Sequence, residues 1–313
     1  MNDGLPDAGS AAGKRLLFLL GPPRCGSTWL QLALSRSPAV CTVQETHLFS
    51  AYLRGPVQAW ERHADNPRAI GLRHQLDEAF FVARIKAFAD AVFERLGEQC
   101  APEARVFLEK TPAHIEHREI IERLYPDAWF LVLVRDPRDM VASMQRAGRS
   151  WGRWAGSGVI ANAMRWQRNV SAALELEQEV THYKRVRYED MRGNGSECLA
   201  GIFDWLGIEH SAGEIDTFLA EVDRPKLRNG QLDGAPWDIG GEPEGFYGGG
   251  GGSAPAAPVS AANRRLVETL TAPGMAALGY PREFADARWS PRLALYRAGE
   301  RAAALLARLG RRL

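Results

Sequence analysis

The sequence predicts an α/β fold: a parallel β-sheet flanked by helices on both faces, with a phosphate-binding loop after its first strand. Three observations carry that prediction. Short unbroken apolar runs at Leu16–Leu20, Val106–Leu108 and Trp129–Val134 have the length of buried strands, not of helices. Segments with apolar residues at helical spacing alternate with them, the pattern of a sheet wound with helices. And Arg15–Phe49 passes from strand to tight loop to helix within a few residues.

The loop comes first. Gly21, Pro22, Pro23 and Gly26 break the strand, and Ser27 and Thr28 are placed to open a helix. Trp29–Leu34 then carries helical spacing until Ser37-Pro38 closes it. Such a loop aims several backbone N–H groups and a helix N-terminus at one spot, which suits a phosphate. The octet Gly21–Thr28 has the spacing of a nucleoside-triphosphate loop without its lysine, and places a cation earlier, at Arg24. Cys25, at a helix start beside Arg24, is expected to have a lowered pKa.

Val40–Val43 reads as a short strand leading into Gln44-Glu45-Thr46-His47-Leu48-Phe49, and Ser50 to about Glu98 reads as mostly helical, clearest at Phe80–Phe93. Val106–Leu108 ends in Glu109-Lys110-Thr111-Pro112, and a helix with Ile115, Ile120, Ile121 and Leu124 follows. Trp129–Val134, the best central-strand candidate, runs into Arg135; Asp136 can cap and Pro137 can start the next helix. Ligands of such sheets sit beyond the strand C-terminal ends, so the Gly21 loop and Arg135 share a crevice. Arg135 and Ser143 are eight residues apart, and both can reach a phosphate lying across that helix start. Tyr183–Tyr188 reads as a strand and Leu199–Leu206 as a helix ending at Gly207. Asn229 to about Ser260, with five glycines at Gly248–Gly252, reads as a mobile surface loop or lid. Pro291–Leu313 has a basic amphipathic pattern, suited to peripheral membrane contact or to packing on its own domain or a partner.

At 313 residues the chain is expected to form a single domain, with Met1–Lys14 as a flexible start. A formal net charge of +1 gives no argument for bulk binding of nucleic acid or membrane, and no nucleic-acid partner is expected. The polar start lacks a hydrophobic signal region, so a cytoplasmic location is expected. Cys25, Cys41, Cys100 and Cys198 lack metal-ligand spacing and are expected as reduced thiols. His114 and His117 are three apart with no third ligand in view, so no metal site is expected and both read as solvated or core residues.

The loop, as P-[KR]-x-G-[ST]-[ST]-x-[LV], resembles the 5′-phosphosulfate loop of sulfotransferases that use 3′-phosphoadenosine 5′-phosphosulfate (PAPS), and Arg135–Ser143 is similar to their 3′-phosphate site. The resemblance covers roughly Arg15–Gly207. It implies the donor PAPS, the product PAP, and binding by Arg24, Cys25, Gly26, Ser27, Thr28, Trp29, Arg135 and Ser143. The V-R-Y-E-D-M run resembles the adenine-side segment, so Tyr188 either stacks on the base or plugs the sheet end. In relatives a loop near Asn229–Ser260 closes over the nucleotide and often carries basic residues, for which Lys226 and Arg228 are the candidates.

Cytosolic phenol and steroid sulfotransferases take the acceptor's proton with a histidine in K-T-H-x-P, where this chain has Pro112. Carbohydrate and protein-tyrosine sulfotransferases use a glutamate downstream of the loop, and Glu45 matches it. The resemblance therefore implies Glu45 as general base, Arg24 and Lys110 as cations near the transferring group, and His47 as reserve base. The acceptor implied is a hydroxyl on a sugar, lipid or natural product, with a phenol left open. Two alternatives are a P-loop kinase or other nucleoside triphosphatase, and a non-catalytic nucleotide-binding module.

Overall fold

The structure is a computed structural model that describes residues 10–11, 13–62, 70–156, 158–243, 246–247, 260–284, 293–295 and 298. They group into two compact units, one of Met1–Arg135 with Arg168–Gly252, the other of Asp136–Gln167 with Ser253–Leu313.

The first unit holds the sheet. Its strands are β1 (Ser10–Ala11), β2 (Lys14–Leu20), β3 (Val40–Thr42), β4 (Val106–Glu109), β5 (Trp129–Val134) and β6 (His182–Arg187). Five run parallel in the order β3-β4-β2-β5-β6, and β1 pairs antiparallel with the start of β2. Part of the expected flexible start thus joins the sheet.

The helices are α1 (Ser27–Leu34), α2 (Arg54–Arg62), α3 (Glu78–Gly97), α4 (Arg118–Leu124), α5 (Pro137–Arg149), α6 (Val159–Glu179), α7 (Tyr188–Gly193), α8 (Gly195–Leu206), α9 (Ala212–Glu221), α10 (Arg224–Arg228), α11 (Ala261–Leu270) and α12 (Ala272–Ala277). The one long helix expected after Pro112 is a 3-10 segment, Pro112–His117, followed by α4.

Alternation along the central strands builds a core on each face. Leu17, Leu19, Leu108, Leu131 and Leu133 pack with Leu30 of α1, Ile202 and Phe203 of α8 and Ile215 of α9. Phe18 and Phe130, stacked across neighbouring strands at 5.8 Å, face the other way, where Phe18 lies within 6.4 Å of Phe49, Phe93 and Tyr125. Each such fully buried side chain contributes roughly 1.5–3 kcal/mol. The second unit has its own small cluster of Val141, Ala163 and Val267. There Asp136 caps α5 by accepting from the Arg138 N–H, with Pro137 in the first turn.

Two further expectations need correction. Cys41 and Cys100 form a disulfide, with Cα atoms 5.5 Å apart, because β3 at the sheet edge runs beside the residues that follow α3; no local spacing announces it. The stretch from Asn229 is not a loose loop throughout. Ile239 is buried, Leu232, Ala235, Trp237 and Tyr247 pack on the core, and Asp238 caps a short 3-10 turn. These apolar residues anchor a Gly/Pro-rich chain that composition alone marks as mobile. The glycines Gly248–Gly252 lie outside the described residues, as does the C-terminal amphipathic helix apart from residues 293–295 and 298.

The disulfide closes a loop of 59 residues' separation. On the chain-entropy account it contributes about 4 kcal/mol. Cys41→Ser is expected to lower the urea midpoint by a matching amount, and added reductant should remove most of the difference between variant and parent.

Candidate active site

Each of the five parallel strands delivers a candidate residue beyond its C-terminal end: the Gly21 loop after β2, Glu45 after β3, Lys110 after β4, Arg135 after β5 and Tyr188 after β6. That edge is where ligands of open α/β sheets bind.

The loop after β2 is shaped by two close approaches. Gly21 has φ +145°, and a Cβ there would sit 2.2 Å from the Leu133 carbonyl oxygen. Gly26 has φ +103°, and a Cβ there would sit 2.6 Å from Cδ2 of Tyr188. Glycine is required at both. Between them Arg24 adopts φ +65°, uncommon for a non-glycine residue. Its guanidinium donates to the Phe246 carbonyl at 2.6 Å and lies 5.1 Å over that ring. Arg135 reaches back across the crevice, donating from Nη1 to the Arg24 carbonyl at 3.3 Å, and stands 4.5 Å over the Tyr188 ring. Arg24 and Arg135 are therefore in contact, with Tyr188 as a largely buried strut beneath Gly26 and Arg135.

Ser27 opens α1 and Thr28 follows it. The Thr28 hydroxyl accepts from Lys110 Nζ at 3.2 Å, and the same ammonium donates to Glu45 Oε1 at 2.5 Å. Lys110 is almost fully buried, whereas about a third of the Glu45 side chain is exposed. Glu45 Oε2 lies 3.4 Å from His47 Nε2, and His47 adopts φ +53°. Loop, cation and carboxylate thus form one connected set.

Other predicted residues sit elsewhere. The Trp29 indole donates to the Val222 carbonyl at 3.0 Å, tying α1 to the end of α9. Ser143 is buried on α5, in the second unit. Lys226 is exposed and donates to the Ala220 carbonyl, and Arg228 is also exposed. Cys25 reverses its expectation: burial pushes its thiol up to about 11, outweighing hydrogen bonds from Ser27 and the charges of Arg135 and Lys110. Desolvation wins over the helix terminus.

Sequence reasoning missed Glu109. Its carboxylate is fully buried, accepting from the Thr46 hydroxyl at 2.8 Å and the Thr111 hydroxyl at 2.7 Å, with His114 Nδ1 at 3.0 Å. Burial pushes this carboxyl up, but His114 and then the two hydroxyls outweigh it and bring it down to about 2. A carboxylate followed by a threonine and a histidine, E-x-T-x-x-H, was the local signal, while Thr46 is distant in sequence.

A sequence profile described as the sulfotransferase family matches residues 17–212. The chain belongs to the sulfotransferase family. It is 30% identical over 129 residues to protein-tyrosine sulfotransferase 2 of Gallus gallus, covering 41% of this chain and 33% of the relative. It is 29% identical over 143 residues to nodulation protein NoeE of Sinorhizobium fredii, covering 44% and 32%. The chain thus spans about a third of the length of these curated relatives. Among solved structures, the sulfotransferase domain of the Synechococcus PCC 7002 olefin synthase superposes with TM-score 0.52 at 19% identity, over 86% of this chain and 96% of that one. Mouse sulfotransferase SULT7A1, complexed with PAP, gives 0.50 at 12% identity, over 85% and 84%. At these identities the structural likeness shows the shared fold.

Because the Glu109 carboxyl is depressed from its ordinary 4.5, it adds stability above that pH, and the contribution is lost as pH falls through about 2. Urea titrations at a series of acid pH values are expected to show the parent's advantage over Glu109→Gln shrinking across that window.

Proposed function

We propose that this chain transfers a sulfuryl group from PAPS to a hydroxyl acceptor by in-line displacement, with Glu45 as general base. The observation that carries the reading is Lys110: one buried ammonium bonds both the phosphate loop, at Thr28, and Glu45. On this reading the ammonium is the cation between the leaving group and the base.

The donor set fits an anionic nucleotide. Arg24, Lys110 and Arg135 bring three cationic side chains to the loop, and the Ser27 and Thr28 hydroxyls stand at a helix N-terminus. PAPS supplies the activated sulfuryl group. Arg24, Ser27 and Thr28 would hold its 5′-phosphate end, with Arg135 for the 3′-phosphate. Sulfuryl transfer moves a group bearing less charge than a phosphoryl, so positioned cations and N–H donors suffice to stabilise the leaving phosphate. Arg24 cannot serve as a proton donor at ordinary pH, and its role is electrostatic. Glu45 is partly exposed, as a base that meets an incoming acceptor must be. Its hydroxyl acceptor is a sugar, lipid or natural-product alcohol. The similarity to a protein-tyrosine sulfotransferase adds the phenol of a peptide tyrosine to that set. The Cys41–Cys100 bridge favours an oxidising compartment over the cytoplasmic location expected from the polar N-terminus.

Thermal unfolding with PAP, set beside ATP–Mg²⁺, tests the donor site. PAP at a hundred times its Kd should stabilise the protein by about 2.7 kcal/mol. Stabilisation by ATP–Mg²⁺ alone would favour a nucleoside triphosphatase instead. With PAPS and a panel of sugar, lipid and tyrosine-peptide acceptors, Glu45→Gln should lower turnover by about 10²–10⁴-fold while PAP affinity stays unchanged. Unaltered turnover would remove Glu45 as base.

A further inference from the structure

Glu109 sits at the C-terminal end of β4, fully buried, one residue before Lys110. Nothing in the proposed reaction calls on it. A buried carboxylate is costly unless its oxygens are filled, and here both are. Oε1 accepts from the Thr46 and Thr111 hydroxyls, and Oε2 lies 3.0 Å from His114 Nδ1. The two threonines are the chain neighbours of Glu45 and Lys110.

The network continues outward. His114 Nε2 accepts from the Phe49 N–H at 3.2 Å, so the ring proton is on Nδ1 and points at Glu109. The Thr111 hydroxyl oxygen accepts from the His47 N–H at 3.3 Å, and the Thr46 hydroxyl oxygen from the Leu48 N–H at 3.1 Å. Thr46, Thr111 and His114 each give to Glu109 and take from a backbone N–H, and together they bind the turn after β3 to the end of β4. That turn holds His47 at φ +53°, a left-handed conformation that persists in a non-glycine residue only when its surroundings enforce it.

We infer that Glu109 is a positioning residue for the Glu45–Lys110 pair, acting through Thr46, Thr111 and His114 to set the separation of base and cation. The inference rests on the proposed sulfuryl transfer for its chemistry, though its geometry stands apart from it. Misplacing a reacting group by about 1 Å can cost 10²-fold in rate.

Glu109→Gln keeps the shape and retains an acceptor for the two threonines, but turns an NH₂ toward His114 Nδ1–H. The ring must then change tautomer and present Nε2–H to the Phe49 N–H, so one contact is lost in either state. The expected result with PAPS and an accepted hydroxyl substrate is a kcat lower by about 10–100-fold, with the donor KM and the Kd for PAP within about threefold of the parent. In the same protein, hydrogen exchange at amides 47–50 should quicken by about tenfold or more while amides 26–30 keep their protection. Should Glu109→Gln not fold, Thr46→Val and Thr46→Ser decide: the valine variant should lose rate and the serine variant should recover most of it. Parent-like kcat and exchange in a folded Glu109→Gln, or losses spread equally over PAP binding and every amide, would overturn the inference. A parent that fails to bind PAP sinks the sulfotransferase reading, while the exchange measurement still decides the positioning role.

Discussion

A lysine ammonium almost wholly out of water must be paired, and the pairing of Lys110 orders the site around it. Its two partners come from different strands' loops: Thr28 from the loop and helix after β2, Glu45 from the turn after β3. The parallel register makes that convergence unavoidable. Phe18 of β2 pairs with Glu109 of β4, and Thr42 of β3 pairs with Leu108, so the three strands end within a residue or two of one another. Whatever follows those strand ends must share space, and side chains of opposite charge are what the sequence puts there. Burial makes each bond worth more than it would be in water, and makes a missing partner more costly.

How much of this could be read without coordinates depended on the kind of signal. Trp129–Val134 was legible to the residue because an apolar run of strand length is bounded by a capping aspartate and a proline. The phosphate loop was legible because two glycines and a hydroxyl pair have few other reasons to stand at that spacing. Glu45 was reached through a family pattern. Its own chemistry reads as a surface carboxylate after a strand, and only the contact with Lys110 distinguishes it. Glu109 was hidden for the opposite reason. Its partners Thr46 and His114 are brought to it by strand pairing and a 3-10 turn, neither of which leaves a periodic trace.

The cysteines show the same limit from another side. Cys41 and Cys100 carry no spacing that separates a bridge from two free thiols, and the edge position of β3 decides it. The lowered pKa expected for Cys25 from a helix N-terminus beside Arg24 fails because the thiol is buried. The thiol packs in the core cluster beneath the loop, and desolvation of a thiolate there exceeds what Ser27, Arg135 and Lys110 return. A cysteine within this loop is thus a packing residue here.

Backbone strain points to the same place. Among the described residues, the non-glycine positions with positive φ are Arg24 and His47. One carries the loop cation, and the other flanks the carboxylate proposed as base. Such conformations cost on the order of 1–3 kcal/mol and survive where neighbouring contacts over-determine them. Both are so held: Arg24 by its own donation to Phe246 and by Arg135 on its carbonyl, His47 by Thr111 on its amide. A fold selected for stability alone would relieve both strains with glycine. Retaining arginine and histidine there keeps one side chain on the Phe246 carbonyl and the other beside Glu45 and Ser50, contacts that glycine would not make.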